Sequence, residues 1–224
     1  MRRRIAVLVC SSLLAVPRPA RADGELWVWV ENRVPVLRAE RPTFPRIDWR
    51  FVGDFRVNKR SEGLNQAFLR TGPLFFVTDW LFVATQGTVY ADRVKDGVHQ
   101  TEARTELEPN LFGRIGDFTF NDRSRFESRW RTDSEHRWRY RNQLRINYAP
   151  VGAKWIPYAW NEVLWDLSGL GVNQNRLQFG LARMLNTTTR LDVGYMIRSR
   201  EDAMGNWAHD HILNLYLFLD PPPR

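Results

Sequence analysis

The chain has one cysteine, Cys10, and beyond its first residues no apolar run of about 18. The first scarcity excludes a disulfide framework and a thiolate metal site. The second excludes a membrane-spanning helix, which needs about 20 residues. Histidine is scarce too, at four residues, so few side chains can exchange protons near neutral pH. No low-complexity linker, charge block or shift of composition divides the chain, and its length is one domain's worth.

What is present begins with an export signal. Arg2, Arg3 and Arg4 precede the apolar stretch Ile5–Val16, and Ala20-Arg21-Ala22 follows. A charged n-region, a short h-region and an A-x-A ending predict a secretory signal peptide over residues 1–22, with Asp23 as the mature N-terminus. The segment carries five of the 33 basic residues and no acid, so the mature chain has 28 basic against 25 acidic residues. A net charge near +3 instead of +8 removes most of the case for nucleic-acid binding, and none is expected. Cys10 leaves with the signal. An exported domain without disulfides is held by a large hydrogen-bonded core or by a membrane.

The rest of the chain is rich in Trp and Phe yet a quarter charged, and the two classes alternate. From residue 135 the odd positions read Glu135, Arg137, Arg139, Arg141, Gln143, Arg145 and the even ones His136, Trp138, Tyr140, Asn142, Leu144, Ile146. Period two separates these into the two faces of a strand. Residues 46–57 repeat the pattern. Turn signals divide residues 23–224 into eleven segments at 24–36, 45–57, 64–76, 79–92, 98–112, 117–131, 135–149, 154–166, 172–185, 189–200 and 208–219. Most are 12 to 15 residues long, enough for a tilted membrane strand, which needs about 9–11 in the hydrocarbon. Short connections (Thr78, Arg114–Gly116, Pro150–Ala153, Asn186–Thr188) alternate with more polar ones, as periplasmic turns alternate with extracellular loops.

The reading is an all-β fold: an antiparallel up-and-down transmembrane β-barrel of 10–12 strands. Because bacterial single-chain barrels are normally even, twelve is slightly preferred to ten. A soluble barrel would turn its apolar face inward. Trp80, Trp130, Trp138, Trp155, Trp165 and Trp207, towards strand ends, favour lipid interfaces instead.

Several short motifs resemble one bacterial family. They are Arg123-x-Arg125-x-Glu127-x-Arg129, Trp138-Arg139-Tyr140-Arg141-Asn142, Pro157-Tyr158 leading to Glu162, Asn175-Arg176-Leu177, Gly194-Tyr195 and Asp210-His211-Ile212-Leu213. The chain resembles the domain of unknown function 2490 family, outer-membrane barrels of Gram-negative bacteria. The resemblance implies an envelope location and a barrel, and carries over no catalytic residue. Its expected partners are outer-membrane lipid, lipopolysaccharide and the insertion machinery; oligomeric state is left open. One departure is the ending Asp220-Pro221-Pro222-Pro223-Arg224, where such barrels usually finish on an aromatic residue.

The charged rows carry the functional expectation. Glu102, Arg104, Glu106, Glu108, Arg123, Arg125, Glu127, Arg129, Arg137, Arg139, Arg141 and Arg145 are expected to line the lumen, as a neutralising ladder or as a constriction favouring anions. A two-residue loop at Ile115-Gly116 would set Glu108 against Arg123, Glu106 against Arg125, Arg104 against Glu127 and Glu102 against Arg129. The histidines carry the alternative. His99, His136, His209 and His211 are expected near the extracellular end, and with Ser61, Ser134, Asp133 and Asp210 they would suit a lipid-modifying hydrolase. No spacing ties them into a triad, so the plainer reading is that they meet lipopolysaccharide phosphates or solvent. His209-x-His211 is too few ligands for zinc, and Gly113-x-x-Gly116 supplies turn geometry. No cofactor, metal or catalytic residue is expected.

Overall fold

The computed structural model describes residues 24–37, 46–58, 63–93, 99–132, 134–169, 171–201 and 204–219. The expected signal segment 1–22 and the atypical C-terminal residues lie outside them. The strands are β1 Gly24–Leu37, β2 Arg46–Asn58, β3 Gly63–Phe76, β4 Leu81–Arg93, β5 His99–Ile115, β6 Phe118–Arg131, β7 Ser134–Tyr148, β8 Trp155–Asp166, β9 Gly171–Met184, β10 Thr189–Glu201 and β11 Trp207–Leu219. Each pairs with its neighbour in sequence, and β1 closes on β11 to complete a barrel. Every period-two segment of the sequence is a strand, with boundaries moved by three residues at most.

The preference for twelve strands is corrected to eleven. With an odd number in up-and-down order, the first and last strands run the same way, so the seam must be parallel. Gly24 to Asn32 of β1 register with His211 to Leu219 of β11 in parallel. The other ten pairs are antiparallel. The start of β1 and the end of β11 therefore lie at opposite ends of the barrel. We call the end joining β2 to β3 and β10 to β11 the loop end, and the end joining β3 to β4 and β9 to β10 the turn end.

Alternation decides which side chains fill the interior. Asp48, Asp54, Arg70, Glu102 and Glu127 are buried, whereas Leu69, Val89, Leu107, Phe126, Phe179 and Leu213 are exposed. A soluble barrel would show the reverse. Trp130, Trp138 and Trp207 are exposed towards the loop end, and Trp80 and Trp155 towards the turn end, as in the aromatic girdles of a membrane barrel.

Charge alone does not hold the interior. Tyr158 registers with Gly180 and Gly180 with Gly194. A Cβ at either glycine would collide with the Tyr158 hydroxyl, and at Gly194 with the Gln178 amide as well. Gln178 Nε2 donates to the Tyr158 hydroxyl at 2.7 Å, and Asn214 Nδ2 donates to Gln178 Oε1 at 2.7 Å. The Arg145 guanidinium lies 3.9 Å over the Tyr158 ring. Two facing glycines thus make the space in which one motif aromatic lies. Gly194→Val should cost about 1–3 kcal/mol by overpacking this seat, read as a lowered guanidinium midpoint of the detergent-folded protein. An unchanged midpoint would mean that Tyr158 does not lie there.

Candidate functional site: the charged lumen

The lumen is built from the inward row of each strand, and its carboxylates are shared between arginines. Midway along, Glu108 accepts from Arg50 Nη2 at 2.8 Å, from Arg125 Nε at 2.6 Å and from Asn110 Nδ2 at 3.1 Å. Glu106 pairs with Arg70 at 3.0 Å and accepts from the Thr88 hydroxyl at 2.8 Å. Glu127 accepts from Arg139 at 2.7 Å and Arg141 at 2.9 Å. Glu162 accepts from Arg123 at 2.9 Å, Arg141 at 2.7 Å and Arg176 at 3.1 Å. Glu108 and Glu127 are 0% exposed and Arg125 is 2%. Burying ions this deeply is costly unless each is paired and hydrogen-bonded, and the sharing of carboxylates supplies that pairing.

The expected register between β5 and β6 is overturned. Gly116-Asp117 forms the hairpin turn, with Gly116 at φ 59° and Ile115 opposite Phe118. Every partner thereby moves two residues along. Arg104 faces Arg129 and Glu106 faces Glu127, the like-charge opposition that the charge pattern disfavours. The turn wins for two reasons. Glycine takes a left-handed conformation that Ile115 resists, and long side chains reach diagonal neighbours. Arg129 Nε reaches Glu102 at 2.6 Å, Arg125 reaches Glu106 at 3.5 Å and Arg104 reaches Glu127 at 3.8 Å. Three of the four anticipated ion pairs thus form across the diagonal. Arg123 instead goes to Glu162 on β8.

The remaining ladder positions lie nearer the ends. Arg137 is half exposed and 3.7 Å from Asp166, and Arg145 pairs with Asp192 at 2.8 Å. Sequence reading missed Arg50, Arg70, Glu162, Arg176, Asp192, Arg198 and Asp210 as members of the network. Their inward parity was legible in each strand, but which rows meet across a lumen was not.

Towards the loop end the interior opens into a cavity of about 470 Å³, lined, among the described residues, by nine arginines and two acids, Glu25 and Asp92. Glu102 accepts there from Arg104, Arg129 and Arg131. Asp210 accepts from Arg198 at 2.9 Å and Arg200 at 3.1 Å. A second cavity of about 120 Å³ lies deeper, walled in part by Trp29, Arg125, Trp160 and Glu162.

The histidines are separated from the lumen by parity. His209 and His211 point outward while Asp210 between them pairs with the inward Arg198, so the expected grouping of Asp210 with these histidines does not form. His136 Nε2 is 2.6 Å from the Ser128 hydroxyl, with its ring 5.0 Å from that of Trp130 and 5.3 Å from that of Trp138. His209 Nδ1 meets the Ser199 hydroxyl at 2.9 Å, and His211 meets the Tyr195 hydroxyl. Ser61 and Asp133 lie outside the described residues, as does the side chain of His99. Among the described residues no three His, Cys, Asp or Glu are grouped to hold a metal ion.

The motifs that carry the family resemblance meet one another here. In the lumen Arg123, Arg141 and Arg176 converge on Glu162, Arg139 and Arg141 on Glu127, and Tyr158 lies across Gly194, while on the outer face Tyr195 meets His211. No curated protein and no solved structure matches the chain. Residues 36–209 match the family described as Protein of unknown function (DUF2490), and the chain belongs to that family.

Proposed function

We propose that the protein is an outer-membrane β-barrel of the Gram-negative envelope whose lumen does not conduct. Its ladder of Glu102, Arg104, Glu106, Glu108, Arg123, Arg125, Glu127, Arg129, Arg137, Arg139, Arg141 and Arg145 acts as cross-bracing. The observation that carries this reading is the complete burial of Glu108 and Glu127 beside Arg125 at mid-lumen. A diffusion pore keeps such groups hydrated. The apolar outward faces, the Trp residues at both ends and the N-terminal export pattern support the membrane location. Lipid and lipopolysaccharide would contact the outer face, and the barrel-insertion machinery would deliver it. The test is fractionation, heat-modifiable gel migration and planar-bilayer recording of the purified protein. The expected results are outer-membrane recovery, a heat-dependent shift and little or no conductance. Soluble periplasmic recovery would refute the location, and large stable channels would refute the closed lumen.

One observation favours a lipid-modifying hydrolase as the second reading, namely the 2.6 Å contact of Ser128 with His136 on the outer face. A serine hydrolase also needs a group to orient its base. Among the described residues no carboxylate bonds to His136, and so the closed barrel is preferred.

A further inference from the structure

Filling a barrel with a salt-bridge ladder uses up its space and balances its charge. The loop-end cavity does neither. It leaves about 470 Å³ empty, within the range of small-molecule sites. Its nine arginines share six carboxylates. Three guanidiniums converge on Glu102 and two on Asp210, while the others pair with Asp54, Glu127 and Glu162, and Arg198 also reaches Glu25. A guanidinium brings five N–H groups and a carboxylate about four acceptor positions, so donors exceed acceptors and positive charge exceeds negative. Arg141 lines the cavity floor at 7% exposure. At the rim, the Arg131 and Arg200 side chains are 36% and 50% exposed, so solutes can reach them.

We propose that this cavity binds a small, multiply charged phosphate compound, either a phosphorylated sugar or an inorganic polyphosphate. Several guanidinium forks aimed into one space match phosphate oxygens in pairs and supply the missing negative charge. The described wall does not suit an acyl chain. Among the described residues its one aromatic is Tyr90, under the Arg104 guanidinium at 3.6 Å, and none of them is aliphatic. Residues already tied to Glu102 and Asp210 are held in place before the ligand arrives, which lowers the ordering cost of binding. Binding here depends neither on the membrane location nor on a closed lumen.

The test is calorimetric titration of the full-length protein in detergent micelles with fructose 1,6-bisphosphate and with pyrophosphate, and with fructose as the uncharged control. One saturable site for at least one phosphate probe is expected, weakening as salt rises, with no response to fructose. Tighter binding of the bisphosphate would identify the sugar ester as the source, and tighter binding of pyrophosphate the inorganic one. The double variant Arg131→Gln/Arg200→Gln should bind at least about tenfold more weakly, while Arg114→Gln at the turn end should bind like the parent. If the double variant does not fold, phenylglyoxal modification of the parent replaces it, and the bound probe should protect Arg131 and Arg200. No binding of either probe, binding without a defined stoichiometry, parental affinity in the double variant, or no protection would overturn the proposal.

Discussion

Glu108→Ala should destabilise the detergent-folded barrel by about 3–5 kcal/mol, the usual cost of removing one partner from a buried ion pair. Glu108 is 0% exposed and accepts from Arg50 and Arg125, themselves 5% and 2% exposed. Removing it leaves two cations in a low-dielectric space with their mutual repulsion unscreened. Arg125 keeps Glu106 at 3.5 Å and Glu127 at 3.8 Å. Arg50 loses its 2.8 Å ion pair. Arg137→Ala is the control, because its half-exposed pair with Asp166 at 3.7 Å should contribute less than about 1 kcal/mol. Guanidinium midpoints of the two variants would decide the matter. A Glu108→Ala midpoint equal to that of Arg137→Ala would show that mid-lumen is hydrated, and would reopen the pore reading.

Oxidation of a Val28→Cys/Leu215→Cys variant should convert nearly all molecules to an intramolecular disulfide. Val28 and Leu215 register directly across the parallel seam of β1 and β11, and both face outward. Neighbouring strands lie about 4.8 Å apart, within the 4.4–6.8 Å separation that a disulfide bridges. The chain's one native cysteine, Cys10, lies in the expected signal segment, so no other thiol competes in the mature protein. The pair Val28→Cys/Val193→Cys, one strand further round, should stay reduced. The faster non-reducing migration of the first variant would show that β1 lies directly beside β11. Disulfide-linked dimers, or no cross-link, would show that β1 meets another strand.

The strands and their inner faces were legible because side-chain direction in a strand has period two and depends on nothing distant. Arg139, Arg141 and Arg145 could be placed on one face from residues 135–148 alone. The β5–β6 register was not legible in the same way. Four opposite-charge matches pointed to a loop at Ile115-Gly116, but Arg129 reaches Glu102 and Arg104 reaches Glu127 diagonally, so charge matching does not discriminate between registers two residues apart. The left-handed Gly116 does. Asp210 was misplaced beside the histidines for a related reason. His209, Asp210 and His211 are adjacent in sequence, and alternation sends Asp210 to the lumen and both histidines outward.

The sequence by itself determined that this is an all-β chain of long amphipathic strands with their charges on one face, and it left their number between ten and twelve. Those properties come from local pattern and length. Only the tertiary structure decided that the strands close through a parallel β1–β11 seam, since closure is a relation between the two ends of the chain. It also decided which arginines share which carboxylate. Arg141 and Arg176 reach Glu162 from the strands on either side of it, but Arg123 stands on β6, two strands away, and only the curvature of the sheet brings it there. The loop-end cavity is likewise a product of closure, since a closed lumen gathers nine arginines that an open sheet would spread.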